Sequence, residues 1–179
     1  MSKSFELRFA GSGGQGVILA SIILAEAALK EPLNVVQSQS YGPEARGGMC
    51  KADVVIADSD IDFPQVEEAD CLLALTQESL DKYMHIVRKG GVILTDSKVD
   101  ISQCENGGKI ISVAILDTAS EVVGNEMTAN IVALGALNAA MNLVSEKNLE
   151  EAVLKHVPAK TKDLNIRALN EGRKLILGK

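Results

Sequence analysis

Two glycine-rich segments hold most of the residues whose types and spacing could do chemistry. The first is Gly11-Ser12-Gly13-Gly14-Gln15-Gly16, spaced as Gly-x-Gly-x-x-Gly. Glycines permit a tight turn and a close approach of backbone to a ligand. The unpaired amides that open a helix attract an anion. The second is Tyr41-Gly42-Pro43-Glu44-Ala45-Arg46-Gly47-Gly48. Gly42 precedes Pro43 and is held extended. Arg46, followed by Gly47 and Gly48, offers a guanidinium and backbone amides to one anionic group. The bland alternatives are a tight strand–helix turn for the first segment and a surface loop, with Arg46 paired to Glu44, for the second.

The elements that would position these segments are legible around them. Residues 5–10 alternate like a half-buried strand, and residues 17–25 read as a buried helix. Pro32 ends that pattern, and residues 34–40 form a second strand. A third strand, 49–57, follows with no helical pattern between, so the two can pair antiparallel. Strands at 70–75, 92–95 and 109–113, a helix at 77–87, and helices at 128–143, 148–157 and 162–177 complete the chain. This succession predicts an α/β/α three-layer sandwich, Rossmann-like, with a mostly parallel sheet and room for one antiparallel pair around the Tyr41 loop. In such a sheet the first and second strands deliver their carboxyl ends to one edge, where ligands bind. Both glycine-rich loops then face one site.

A dinucleotide would need a carboxylate ending the second strand to grip its ribose. That strand ends in Ser38-Gln39-Ser40, and Glu31, at the right count, precedes Pro32 and the strand itself. The first helix is apolar almost all round, which requires either a central place in the domain or cover from another subunit.

The totals bound the class. With 179 residues, the chain suits one domain, 1–179, with an aliphatic core, since aromatics are only 3% of residues. A net charge of −6 and the lack of any basic run argue against nucleic-acid binding. Cys50, Cys71 and Cys104 are far apart and form no Cys-x-x-Cys pair, which excludes zinc ribbons and ferredoxin-type clusters on local spacing. Odd, scattered cysteines point to a reducing cytoplasm, and no segment is long and apolar enough for a membrane.

Lesser candidates are weighed the same way. Asp58-Ser59-Asp60-Ile61-Asp62 starts like a calcium loop but has Phe63 and Ala69 where glycine and glutamate belong. Asp96 ends a buried strand at the ligand-binding edge, His85 and His156 read as solvated, and Thr128 and Asn130 read as caps of the helix that opens there.

Taken together, GSGGQG after a strand and SYGPEARGG from Ser40 to Gly48 resemble the gamma subunit of the 2-oxoacid:ferredoxin oxidoreductases. The run Ala129-Asn130-Ile131-Val132-Ala133-Leu134-Gly135-Ala136-Leu137 is similar to that family's C-terminal helix, so the resemblance spans essentially the whole chain. It implies a CoA-dependent oxidative decarboxylation of a 2-oxoacid to acyl-CoA, CO2 and reduced ferredoxin. It also implies alpha and beta partners, with a delta or ferredoxin-like chain. Thiamine diphosphate, magnesium and iron–sulfur clusters would sit on those partners, and this chain on the coenzyme A side, inactive alone. Gly13, Gly14, Gln15, Gly16, Tyr41, Gly42, Pro43, Glu44, Arg46 and Gly47 are then expected to meet partner subunits and CoA. The substrate expectation is 2-oxoglutarate, with pyruvate and branched-chain 2-oxoacids open. The alternatives are the small subunit of an indolepyruvate oxidoreductase and a stand-alone nucleotide-binding module.

Overall fold

Alternation along the strands sorts side chains onto two faces, and that sorting builds the layers. In a computed structural model, residues 4–41, 48–104 and 108–178 are described. Six strands form one sheet: β1 (Ser4–Ser12), β2 (Asn34–Tyr41), β3 (Met49–Ala57), β4 (Ala69–Ala74), β5 (Val87–Asp96) and β6 (Lys109–Val113). Their spatial order is β2-β3-β1-β4-β5-β6. Leu7 and Phe9 of β1, with Val54 and Ile56 of β3, face one core, while Ala10 and Val55 face the other.

The first core is capped by α1 (Val17–Ala28), α4 (Ala129–Met141), α5 (Glu146–His156) and α6 (Lys162–Leu177). The second is thinner and lies under α2 (Gln77–Tyr83) with its flanking turns. Here α1 takes the central place: Val17, Ala20, Ile23, Leu24, Ala27 and Ala28 are fully buried under the sheet. The closest helix contact joins α4 to α6, where a Cβ on Gly135 would strike Leu169 O and one on Gly172 would strike Val132 O.

The antiparallel pairing is realised with one addition. β3 lies between β2 and β1 and runs against both, while β1, β4, β5 and β6 are mutually parallel. A short β2–β3 connection can only return antiparallel, and β3 then occupies the free edge of β1. β1 and β2, two places apart, point the same way, as the edge argument requires.

Other differences are local. The helix expected at 77–87 stops at Tyr83, followed by a 3-10 turn, Met84–Ile86, and by β5, which starts at Val87 and is twice as long as its apolar centre suggested. The stretch from α3 (Ile115–Asp117) through a π-helical turn, Thr118–Val123, carries no clear sequence signal. Among the described residues, no helix is long and apolar enough to cross a membrane.

Candidate functional site: the glycine rim

The turn after β1 gets its shape from its own side chain. Gln15 folds back so that its Oε1 accepts the Ser12 amide at 2.8 Å, while Gln15 N donates to Ser12 O at 3.1 Å. Gly11 leaves the space for this: a Cβ there would lie 2.6 Å from Gln15 Oε1. Gly13 and Gly14 are left exposed at the tip.

Gly16 takes the left-handed conformation, φ 72° and ψ 19°, and opens α1 with no side-chain cap and no acidic residue in the first turn. The turn from Ser12 to Val17 contains no charged residue. The result is an uncharged backbone rim at a helix start, which suits a phosphate-like anion.

The two glycine segments meet. Gly13 N donates to Gly48 O at 2.9 Å, which joins the tip of the first loop to the end of the second. The register agrees, with Gly11 opposite Cys50 and Cys50 opposite Tyr41. Beneath the junction, Cys50 Sγ donates to Gly11 O at 3.6 Å, and burial pushes the thiol up from its usual pKa. Of the predicted site residues, Gly13, Gly14, Gln15 and Gly16 lie on this rim, and the backbone of Tyr41 reaches it at the end of β2. Gly42, Pro43, Glu44, Arg46 and Gly47 fall outside the described residues.

With this geometry in view, comparison with known proteins is informative. The sequence pattern of the pyruvate ferredoxin/flavodoxin oxidoreductase family matches residues 6–175. The chain belongs to this family. It is 43% identical to the 2-oxoglutarate synthase subunit KorC of Methanothermobacter marburgensis, over 96% of both chains. The crystal structure of the gamma subunit of a keto/oxoacid ferredoxin oxidoreductase from Geobacter sulfurreducens superposes with a TM-score of 0.89, at 44% identity, over 98% of this chain and 97% of that one. The ketoisovalerate oxidoreductase subunit VorA of M. marburgensis is 34% identical over 95% of this chain but only 36% of its own length. Within the family the chain is a gamma-type subunit of an oxidoreductase complex.

Several lesser candidates of this gamma-type subunit turn out to be structural. Asp96, 1% exposed, accepts the Lys98 amide at 2.9 Å and the Leu116 amide at 2.8 Å, so it ties the end of β5 to α3. Glu31 accepts Ser145 N at 2.6 Å and fastens the start of α5, away from any ribose position. His156 pairs with Glu26 at 2.6 Å rather than pointing free into solvent. The Lys155 hydrogen bond, with that of His156, holds Glu26 below the usual carboxylate range. Among the described residues there is no group of three His, Cys, Asp or Glu placed to hold a metal.

Two features escaped the sequence reading. Arg8 and Asp53, opposite each other on β1 and β3, form a buried bidentate pair with both bonds at 2.7 Å. Arg8 also donates to Val66 O at 2.8 Å and lies 5.0 Å from the Tyr83 ring centre. The available signal was a charged residue inside each of two apolar strands. The second feature is Asn130, read as a helix cap. Thr128 occupies the cap position without a side-chain cap bond, and Asn130 reaches across to donate to Gly16 O at 3.3 Å.

Proposed function

We propose that this gamma-type subunit provides the coenzyme A side of a CoA-dependent oxidative decarboxylation, within a complex that converts a 2-oxoacid to an acyl-CoA and reduces ferredoxin. The observation that carries the reading is the Gly13–Gly48 hydrogen bond, which sets the end of the second glycine-rich segment against the uncharged tip of the first. Exposed Gly13 and Gly14, the Gln15-braced turn and the uncapped start of α1 suit the diphosphate of CoA, whose charge favours backbone donors at a helix start. The proposal also carries over Tyr41, Gly42, Pro43, Glu44, Arg46 and Gly47 from the family resemblance, with the Arg46 guanidinium as the cationic member.

Thiamine diphosphate, magnesium and iron–sulfur clusters belong to alpha, beta and delta-like partners in this proposal. No chemical step is assigned to this chain. It binds and orients one substrate.

Among 2-oxoacids, 2-oxoglutarate comes first, because likeness to the 2-oxoglutarate synthase subunit extends over 96% of both chains. Likeness to the ketoisovalerate subunit covers only part of a longer polypeptide.

The test is steady-state turnover of the complex purified with its native partners. It would be run with 2-oxoglutarate, pyruvate, 2-oxoisovalerate and indolepyruvate, across a range of CoA concentrations. The expected result is preferential 2-oxoglutarate turnover, with a CoA KM about tenfold higher in Arg46→Ala, the worth of one charge-assisted contact. Unchanged CoA saturation in that variant removes Arg46 from the site. Purification as a lone nucleotide-bound chain would overturn the reading.

A further inference from the structure

The Asn130 amide connects two helix starts that sequence places 114 residues apart. It sits in the first turn of α4 and is 5% exposed, in a helix whose other buried polar residue is Asn138. Its Nδ2 meets the carbonyl of Gly16, the residue that turns the chain into α1. Its side chain also fills the space beside Gly16: a Cβ at that position would lie 2.6 Å from Asn130 Nδ2 and 2.9 Å from Cγ.

Gly16 is therefore held from two sides, by a left-handed backbone that disfavours any side chain and by an amide that fills the space a Cβ would need and bonds its carbonyl. Gly14, two residues earlier, has a positive φ of 99° but open space around it. The turn is clamped at its helix end and open at its tip.

We propose that Asn130 is a positioning residue for the anion-binding turn. By fixing Gly16 it sets the direction of the backbone donors at the start of α1, and through it the C-terminal helical layer controls the geometry of the rim. This rests on the reading of the rim as the CoA side, and deepens it.

Asn138 is the natural control. It lies two turns along the same helix, is equally buried, and braces Val144 through a pair of 3.1 Å hydrogen bonds far from the glycine turn. Asn130→Leu keeps the approximate shape and the neutrality of the side chain but removes the donor facing Gly16 O. Expected in the assembled complex is a CoA KM raised about tenfold, the loss of one positioned hydrogen bond, with a smaller change in kcat. Asn138→Ala should lower Tm and leave the CoA KM unchanged.

As a second measurement, Asn130→Ala in the isolated chain should speed amide hydrogen exchange at Gln15 and Ala20, whose amides donate to Ser12 O and Gly16 O, at least about tenfold relative to Asn138→Ala, because the clamp on one end of the turn is gone. Normal CoA saturation in Asn130→Leu, with an altered one in Arg46→Ala, overturns this proposal and leaves the site reading standing. Normal saturation in both overturns the site reading as well. Unaltered exchange in Asn130→Ala overturns the clamp.

Discussion

The two ends of β1 carry opposite chemistry. At its carboxyl end is the glycine rim, with an uncharged turn and exposed backbone at Gly13 and Gly14. At its amino end, about 27 Å away for a nine-residue strand, is a cleft of about 450 Å³ lined by Glu6, Asp60, Asp62, Glu67 and Glu68 around Arg88. Arg88 is already engaged there, at 3.1 Å from Asp70 and 3.4 Å from Glu6, so carboxylates dominate the cleft. The carboxylates of the cleft disfavour a polyphosphate, whereas the Ser12–Val17 turn carries no charge to oppose one. On the proposed CoA reading, charge rather than cavity size locates the site. A charge-free turn with backbone donors is a better guide than a roomy acidic groove. Between the ends sits the buried Arg8–Asp53 pair, which ties β1 to β3 midway.

Three substitutions sharpen or break this contrast. The largest effect is expected at the midpoint. Arg8→Met leaves Asp53 buried, with only Lys51 at 3.6 Å as a cationic neighbour, and should lower unfolding free energy by about 3 kcal/mol, read by chemical denaturation. A loss below about 1 kcal/mol would mean that the pair is not what ties β1 to β3.

Next comes the rim itself. Gln15→Glu keeps the oxygen that accepts from Ser12 N but adds a negative charge where CoA phosphates are proposed to sit. The CoA KM of the complex should rise about tenfold, the size of a like-charge contact near the surface. Glu67→Lys in the acidic cleft should leave it unchanged. Equal responses would erase the contrast.

The smallest effect concerns Glu6. Burial pushes its carboxyl above the usual range, with Arg88 opposing. The folded state therefore holds this proton more tightly than the unfolded chain. The resulting stabilisation is complete below the unfolded pKa and is lost as pH rises through the folded value. Glu6→Gln should remove that step, changing the pH dependence of stability by less than about 1 kcal/mol for a partly solvated group. An unchanged stability–pH curve would show that the acidic cleft is better hydrated than its lining suggests.

Much of the framework was legible because it is local. Period-two alternation marked β1, the run 49–57 read as a third strand, and a continuous apolar run after the glycine turn marked α1. The missing helix between residues 41 and 49 foretold an antiparallel return. The GSGGQG pattern predicted the turn, and the edge argument placed the ends of β1 and β2 together; the Gly13–Gly48 bond joins the first segment to the last residue of the second, while residues 42–47 lie outside the described residues. Errors came where tertiary contacts override local preference. An asparagine entering an apolar helix looked like a cap because caps are the common local use, whereas Asn130 is used across the fold. Asp96 looked available at a strand end, yet both of its oxygens serve backbone amides.

By itself, then, the sequence determined the element order, the glycine turn and the family to which the chain belongs, since each rests on neighbouring residues and their spacing. Only the tertiary structure decided that β3 inserts beside β1, that Arg8 finds Asp53, and that Asn130 clamps Gly16. These depend on which distant segments become neighbours. Alternation tells a residue which face it occupies but not what it meets there, and a hydrogen bond across 114 residues leaves no periodic trace in the chain.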